Sequence, residues 1–468
     1  MKNISLAGLM AGLVLAAGAC DNPLNTVDPD IILPEDLEGP EAIPTIVQGT
    51  VGDFALAYTG EATPTIGVTM FSGLMSDEFV HSGTFTNRAE FETRTLDIRN
   101  AELTTLFRNL QRARRSAERA VQFIDDNADD PGSSTSLAQK ARMFNLAGYS
   151  YVFVAENFCS GVPFSETGPD EEPVFGDPLT TTQMLDRAIE RFASALDAAQ
   201  MAGNAREELV AMLGTARAQL GKGDVAAAGA TAAAVPVDFR FDLEHSINST
   251  RQENGIYFVN VVNERWSVAD GEAGNGLAFR GGGGAMDVRI PWVRTGGTDV
   301  GFDNATPQFD LLKYPGRDKL STVGTGVEAQ LIQAEAALQA GDPGSWLQIL
   351  NDLRADVANL LTRDQLDILR DQFGIEGAAV ALDPLADPGT DDGRVDLHFT
   401  ERAMWLYATA NRMSDMRRLI RQYGRDAETV FPTGAYFKGG TYGTDVNFPV
   451  VLDEENNPNF DQCLNRDA

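Results

Sequence analysis

Two adjacent carboxylates, Asp77 and Glu78, are the residues in this sequence whose types most directly suggest catalysis. A pair of carboxylates can cleave a glycosidic bond when one acts as the acid and the other as base or nucleophile. Neighbouring acids are common, however, in a chain with 68 aspartates and glutamates, and no G-x-S-x-G nucleophile elbow occurs. We therefore expect that the protein is not an enzyme.

Residues that bind metals or phosphates form no recognisable motif. The histidines His81, His245 and His398 are far apart, and the sequence contains neither H-E-x-x-H nor a cysteine cluster, so we expect no zinc site. His398 and Glu401 are three residues apart and are predicted to pair at the start of a helix. The run 281–284 lacks the Lys-Ser/Thr of a phosphate loop and is predicted to be a flexible turn. No cofactor is expected.

Aromatic side chains in loop-rich segments suggest binding instead. These residues are Trp266, Trp292, Tyr257, Phe79 and Phe85. Sugar rings have apolar faces that stack on aromatic planes, while polar side chains hold the hydroxyls at the edges. Asp287 and Arg289, just before Trp292, are candidates for those polar contacts. Each aromatic has the alternative role of a core anchor. Trp266 and Trp292 are our first candidates for the ligand site.

The composition limits the class of partner. The chain has 468 residues and a formal net charge of −31. Such a surface repels the phosphates of nucleic acids, so we expect no nucleic-acid binding. It suits uncharged or cationic ligands.

The N-terminus has the pattern of a processing signal. Lys2 precedes a short apolar run, 6–17, and small residues lead to Cys20. The run is too short for a permanent membrane span. A cysteine at the cleavage point resembles the lipobox of bacterial lipoproteins. We predict a signal peptide over 1–19, lipidation of Cys20 and an acidic tether over 20–40. An ordinary secretory signal cut elsewhere is the alternative.

The two remaining cysteines, Cys159 and Cys463, would then lie in an oxidising compartment. Two cysteines in such a setting favour a disulfide, which would close a very long loop and attach the C-terminal tail to the segment after the central helix. Two buried thiols are the alternative.

Apolar periodicity predicts a mainly α-helical scaffold organised around a helix that starts near Lys140, is apolar nearly all round and ends at 157–161. Residues 60–99 are predicted to be mostly irregular. Alternation over 256–262 predicts a strand within an irregular insert at 237–320. The remaining predicted helices are Pro40–Tyr58, Leu103–Ile124, Met184–Ala199, Arg206–Leu220, Val225–Val235, Val327–Ala340, Trp346–Val357 and Phe399–Tyr423.

Two of these helix pairs resemble tetratricopeptide-type repeats. Helices 206–220 and 225–235 are joined by a G-x-G-D turn at 221–224, and helices 327–340 and 346–357 by Gly-Asp-Pro-Gly at 341–344. Alanine-rich helices such as 225–235 require a close partner. In the last helix, Arg412, Asp415 and Arg418 are three apart and are predicted to form a chain of ion pairs.

Four motifs in order resemble the SusD/RagB-like family of nutrient-uptake lipoproteins. The central helix carries Ala141-Arg142, Ala147 and Tyr151, with Asn145 where arginine is usual, and it leads to Gly161-Val162-Pro163-Phe164. The other three motifs are Glu328 with Ala334-Glu335-Ala336, Leu350-Asn351 and Arg354; Glu401-Arg402 with Arg412, Asp415-Met416 and Arg418; and Phe448-Pro449-Val450 with Asn457-Pro458. The resemblance spans about 40 to 460.

The resemblance implies a single domain over 41–468, with a helical scaffold at 41–236 and 320–424 that carries a ligand-binding insert at 237–320. It implies a protein that is lipid-anchored in the outer membrane and surface-exposed, that captures a glycan or other nutrient, and that delivers it to a SusC-like TonB-dependent barrel. Asp21, directly after Cys20, does not decide which leaflet of the membrane the lipid anchor occupies. The alternative is a periplasmic tetratricopeptide-type scaffold lipoprotein that binds protein partners through a concave helical face.

Overall fold

The computed structural model of the protein describes residues 38–168, 172–294 and 299–468. The predicted signal peptide 1–19, Cys20 and most of the tether 20–40 lie outside these residues. Within these ranges, no helix combines the length and apolarity needed to cross a membrane.

The predicted helix pairs of the N-terminal half are present. A 3₁₀ turn, Pro40–Ala42, leads into the first of them. The helices are α1 Ile43–Thr59, α2 Val68–Met75, α3 Thr86–Glu92, α4 Ala101–Asn127, α5 Ser134–Asn157, α6 Thr181–Ala202, α7 Ala205–Lys222 and α8 Val225–Ala232. Caps define several ends: Asn100 accepts from the backbone of Glu102 and Leu103, and Thr180 and Gln183 form a capping box before α6. Residues 60–99 are mostly irregular, as predicted, because α2, α3 and the short strand Phe79–His81 cover fewer than half of them; the two helices themselves were not predicted.

The central helix α5 is buried from Asn145 to Asn157, as its apolar surface predicts. It packs against α1, α4, α6 and α7. Gly148 provides the closest approach, because a Cβ there would lie 2.6 Å from Cε1 of Phe192 on α6. A Cβ at Gly214 on α7 would lie 2.3 Å from the same atom. The ring of Phe192 therefore occupies a slot made by two glycines.

The helices of the C-terminal half are α9 Gly326–Gln339, α10 Pro343–Ala355, α11 Arg363–Phe373, α12 Asp391–Trp405 and α13 Arg412–Tyr423. Short helical turns occur at Val357–Leu360 and Ala427–Val430, and 3₁₀ turns at Thr250–Gln252, Glu272–Gly274, Gly377–Ala379 and Leu452–Asn456. Trp346 on α10 is fully buried in a second apolar cluster with Leu350, Leu353 and Leu369.

The single helix predicted over Phe399–Tyr423 is wrong, because α12 ends at Trp405 and α13 begins at Arg412. Ala408 and Ala410 have φ angles of 53° and 58°, in the left-handed region. The backbone N–H of Ala408 donates to Glu78 Oε1 at 2.8 Å, and the hydroxyl of Tyr314 donates to the carbonyl of Ala408 at 3.1 Å. These tertiary hydrogen bonds override the helix propensity of alanine.

The strand predicted over 256–262 is also wrong. Residues Gly255–Tyr257 are α-helical and Phe258–Val262 form a π-helical turn. The side-chain oxygen of Asn254 accepts hydrogen bonds from the backbone N–H groups of Ile256 and Tyr257, at 3.0 Å and 3.3 Å. This cap starts a helix in a segment whose apolar alternation suggested a strand.

The strands of the described residues form two-stranded antiparallel ribbons. The pairs are β1 Phe79–His81 with β7 Trp266–Val268, β2 Val162–Pro163 with β5 Pro178–Leu179, β3 Glu166–Thr167 with β4 Pro173–Val174, β6 Arg240–Leu243 with β10 Ser321–Thr325, and β8 Trp292–Arg294 with β9 Phe309–Leu311. In the first pair, Phe79 is opposite Val268 and His81 is opposite Trp266.

The predicted disulfide between Cys159 and Cys463 is present, with the Cα atoms 6.0 Å apart. It connects the exit of α5 to the C-terminal tail. Backbone hydrogen bonds reinforce this junction: Cys159 donates to the carbonyl of Phe448 at 2.9 Å, and Ser160 donates to that of Asn465 at 3.0 Å.

Charged motif residues pair mainly across elements. Asp415 accepts from Arg402 at 2.8 Å and from Arg418 at 3.0 Å, whereas Arg412 binds both carboxylate oxygens of Asp77, at 2.6 Å and 2.9 Å. The predicted chain of ion pairs is therefore correct for Asp415 and Arg418 and wrong for Arg412.

The predicted pair between His398 and Glu401 is wrong. Nε2 of His398 lies 3.3 Å from Glu335, and Glu401 instead binds Arg289 at 2.8 Å and Arg354 at 2.7 Å. The two side chains therefore belong to different networks.

Candidate functional site

Two of the predicted ligand-binding aromatics lie in the core. Trp266 is fully buried, and its ring meets Phe71 edge to face with the centroids 5.1 Å apart. Phe79 is also fully buried and packs 5.4 Å from the ring of Tyr407. Strands β1 and β7 direct these rings into the scaffold. Their assignment to the ligand site is therefore wrong.

Asp287 and Arg289 belong to a buried ion-pair network. The side chain of Arg289 is 3% exposed and lies 2.6 Å from Asp287 and 2.8 Å from Glu401. Its donors are already used by these carboxylates, so the predicted role of the two residues beside a sugar ring is also wrong. They connect the insert to α12 instead.

Trp292 lies at the insert surface, half-buried on β8. Its ring meets Phe309 of β9 edge to face at 5.3 Å. The Arg280 guanidinium lies 3.5 Å from the centroid of Phe309. Tyr257 is half-buried on the helical segment 255–257 and does not line the pocket beside Phe309.

That pocket has a volume of about 470 Å³ and lies between the insert and the loop 435–442. Its aromatic lining residues are Phe309, Phe437 and Tyr442, and its charged or hydroxylated ones include Asp270, Glu272, Arg280, Arg294 and Thr306. Phe437 is 53% exposed, which is unusual for a phenylalanine. A volume of this size is typical of a small-molecule site.

Exposed aromatic rings continue from this pocket along the surface. The Arg265 guanidinium lies between Phe302 and Phe85, at 3.7 Å and 4.4 Å from their ring centroids. These rings are 49% and 45% exposed. We name Phe85, Phe302, Phe437 and Phe309 the aromatic ledge.

Lys438 lies between Phe302 and Phe437 in the middle of the ledge. Its Nζ lies 2.8 Å from Asp303, which follows Phe302, and 5.5 Å from the ring centroid of Phe437. It also donates to the carbonyl of His81. The ledge thus alternates apolar faces with fixed cations.

Buried acids hold the loop that carries Phe437. Tyr436 donates to Glu92 at 2.7 Å, and Tyr442 donates to Glu272 at 2.8 Å. Burial raises the pKa of Glu92 to about 8, and burial together with the charge of Glu92 raises that of Glu272. The rings of Tyr436 and Phe437 meet edge to face at 4.8 Å. These contacts position Phe437 over the pocket.

The carboxylate pair Asp77 and Glu78 is buried beneath the insert. Asp77 is held by Arg412 and accepts from the backbone of Leu277 at 2.7 Å. Burial raises the pKa of Glu78 to about 8. Neither side chain lines the pocket. Among the described residues, no group of three or more His, Cys, Asp or Glu side chains is placed to hold a metal ion.

Phe302, Phe309, Phe437 and Tyr442 were not among the residues predicted for the site. One signal was available: Tyr436-Phe437-Lys438 lies between Gly434 and Gly439-Gly440, all three of which have positive φ. Because loops run over the protein surface, aromatic residues in a glycine-bounded loop are candidates for an exposed position, which Phe437 occupies and the buried Tyr436 does not.

No family model matches the sequence, and no curated protein matches it. Several solved structures are similar to this protein in fold. A SusD superfamily protein from Parabacteroides distasonis aligns with a TM-score of 0.63 at 12% identity, covering 90% of this chain and 98% of that chain. A SusD-like protein from Bacteroides fragilis aligns with a TM-score of 0.61 at 13% identity, covering 90% and 96%.

A third similar structure is surface glycan-binding protein A from Bacteroides thetaiotaomicron in complex with laminarihexaose, with a TM-score of 0.60 at 12% identity. The alignment covers 91% of this chain and 100% of that chain. The mainly α-helical fold expected from the motifs is therefore confirmed, and this chain has the SusD-like fold.

Proposed function

We propose that this protein binds an oligosaccharide on the aromatic ledge and beside it in the 470 Å³ pocket. The observation that carries the proposal is the exposure of Phe85, Phe302 and Phe437, which the side chains of Arg265 and Lys438 link to one another. Exposing three such rings costs solvation free energy, so a contiguous set of them marks a binding surface. Sugar rings match these rings with their own apolar faces.

The polar groups around the ledge favour a neutral glycan over a charged one. Arg294 lies 3.7 Å from Asp299, and Lys438 lies 2.8 Å from Asp303. Asp270 accepts from the backbone of Arg280 at 2.9 Å. Donors and acceptors therefore alternate, which suits hydroxyl groups because each hydroxyl both donates and accepts. We propose binding without catalysis, since the two carboxylates that line this pocket are held by protein donors: Asp270 accepts from the backbone of Arg280 and Gly282, and Glu272 accepts from Tyr442.

We further propose that Cys20 carries lipid at the outer membrane, that the protein faces the cell surface, and that it passes its ligand to a SusC-like TonB-dependent barrel. The lipobox-like N-terminus supports the anchor, and the SusD-like fold supports the partnership. Co-purification of the full-length protein with a large barrel tests the partnership, and recovery of the barrel without this protein would contradict it.

A glycan array followed by calorimetric titration of the chain from residue 21 tests ligand binding. Phe437→Ala is expected to weaken the affinity for the best oligosaccharide by about tenfold without lowering the melting temperature, because the ring is 53% exposed. Phe175→Ala removes a 38% exposed ring outside the ledge and is the matched control. Equal affinities of Phe437→Ala and the wild type would contradict the site.

A further inference from the structure

A row of arginines lies along α4, away from the aromatic ledge. Arg108, Arg112, Arg115 and Arg119 are spaced by four, three and four residues, so they share one face of the helix. At 1.5 Å per residue they extend over about 16 Å. Repeated positive charge at this spacing is unexpected on a chain with a net charge of −31.

These residues line a groove with a volume of about 480 Å³. The groove is completed by Arg114, Gln111, Ser116 and Ser165, with Asp453 and Glu454 at one end. Five guanidinium groups thus face two carboxylates in one cavity. We name this cavity the arginine groove.

Part of the positive charge in the groove is not neutralised. Arg108 pairs with Asp453, and Arg114 pairs with Glu118 at 2.8 Å and with Glu166. Arg112 and Arg119 are exposed, and neither forms an ion pair with another residue of the described ranges. Burial lowers the pKa of Arg115, and the charges of Arg119 and Arg114 lower it further against the opposing effect of Glu166. The cations therefore repel one another.

The floor of the groove is rigid. The Arg114 side chain is 2% exposed and donates to the carbonyl of Ser165 at 2.8 Å. Its Nε is buried and has no hydrogen-bond partner among the described residues. Gln111 donates to the carbonyl of Pro163, in the loop that follows the central helix, at 3.0 Å. Fixed donors of this kind bind oxyanions with little loss of side-chain entropy.

We propose that the arginine groove binds a multivalent oxyanion, a molecule with two or more phosphate, sulfate or carboxylate groups about two helical turns apart. Guanidinium forks match the geometry of these groups. Arg112 and Arg119 are seven residues apart on α4, about 10 Å along the helix axis, so one anionic group fits at each of them. This site is independent of the neutral glycan proposed for the ledge.

Calorimetric titration of the chain from residue 21 with inorganic tetrapolyphosphate, whose terminal phosphates can reach both arginines, tests the groove. Two further probes identify the source of the anion: trigalacturonate for a glycan carboxylate, and vesicles of phosphatidylcholine and phosphatidylglycerol for a lipid headgroup. At least one probe is expected to bind, with an affinity that falls as the salt concentration rises. The probe that binds with the highest affinity identifies the source of the anion.

The variant Arg112→Gln/Arg119→Gln is expected to weaken binding by about tenfold or more. The control Arg187→Gln/Arg370→Gln removes the same charge at side chains that are 51% and 49% exposed elsewhere and is expected to bind like the wild type. Both variants are expected to keep the wild-type melting temperature. Absence of binding by all three probes, or an equal loss in the control, would overturn the proposal.

Discussion

The rings of Trp292 and Phe309 meet edge to face, with their centroids 5.3 Å apart. Phe309 lines the pocket, whereas Trp292 supports it from the neighbouring strand. Trp292, which was predicted to contact the ligand, thus packs behind Phe309, which was not among the predicted site residues. Edge-to-face pairs contribute about 0.5–1.5 kcal/mol beyond the area that they bury.

Substitutions of the two insert tryptophans are expected to separate the core from the site. Trp266→Ala should lower the free energy of unfolding by about 3–5 kcal/mol, because it removes a fully buried ring. Trp292→Ala should cost less stability and weaken glycan binding, because Phe309 loses its support. Urea unfolding and glycan titration measure both effects. Equal destabilisation by the two substitutions would contradict the assignment.

The close approach of Gly148 and Gly214 to the Phe192 ring predicts how glycine substitutions change stability. Gly148→Ala should destabilise the protein by about 1–3 kcal/mol, because the new Cβ would lie 2.6 Å from the Phe192 ring. Gly52→Ala on α1 is the control: no atom lies within 4 Å of its Cβ, so it should be neutral or stabilising.

Thermal or urea unfolding of both glycine variants measures the difference. In a Phe192→Leu background the cost of Gly148→Ala should fall, since the smaller side chain leaves room. An unchanged cost in that background would show that the slot does not determine the packing.

The raised pKa of Glu78 predicts that the stability of the protein depends on pH. Burial raises the pKa of Glu78 from the ordinary value of 4.5 to about 8. Between pH 4.5 and pH 8 the folded protein keeps the Glu78 proton, whereas the unfolded chain releases it. The contribution of this proton to the free energy of unfolding is therefore complete below pH 4.5 and is lost as the pH rises towards 8. Asp77, Arg412 and Lys313 are the charged groups that also act on this carboxyl.

Glu78→Gln removes this titration and keeps an acceptor for the Ala408 N–H. Relative to the variant, the wild type should lose stability with rising pH by up to about 1.4 kcal/mol per pH unit. Urea unfolding of both proteins at pH 5 and pH 7 measures the difference, in which other titrating groups cancel. Glu190→Gln, at a 55% exposed side chain, is the control. Parallel pH profiles of wild type and Glu78→Gln would refute the prediction.

The disulfide is expected to stabilise the protein because it closes a loop of 304 residues. Cys159→Ser/Cys463→Ser should lower the free energy of unfolding by about 2–5 kcal/mol. Non-reducing peptide mapping of the wild type should recover the linked peptides. Free-thiol labelling of both cysteines in the native protein would rule the bond out.

Much of the helical scaffold could be predicted from the sequence because its signals are local. The helices α4, α6 and α7 have clear apolar stripes and N-terminal caps, and each extends only a few residues beyond its predicted bounds. The break between α12 and α13 was missed because it depends on Glu78 and Tyr314, far away in sequence.

The site was harder to predict for the same reason. Trp266 and Trp292 lie in similar short strands, and only their partner strands determine that one ring enters the core while the other lies at the surface. Phe437 lies outside the predicted insert at 237–320 altogether. Its exposure depends on Tyr436 and Tyr442, whose buried acid partners come from distant parts of the chain.

The most direct measurement of the central claim is a crystal structure of the chain from residue 21 with the best oligosaccharide from the array. We expect a sugar ring stacked on Phe437 or Phe309, with its hydroxyls near Arg280 and Asp270 and the chain directed towards Phe302. A sugar bound on the helical scaffold, with Phe85, Phe302 and Phe437 still exposed to solvent, would contradict the proposed function.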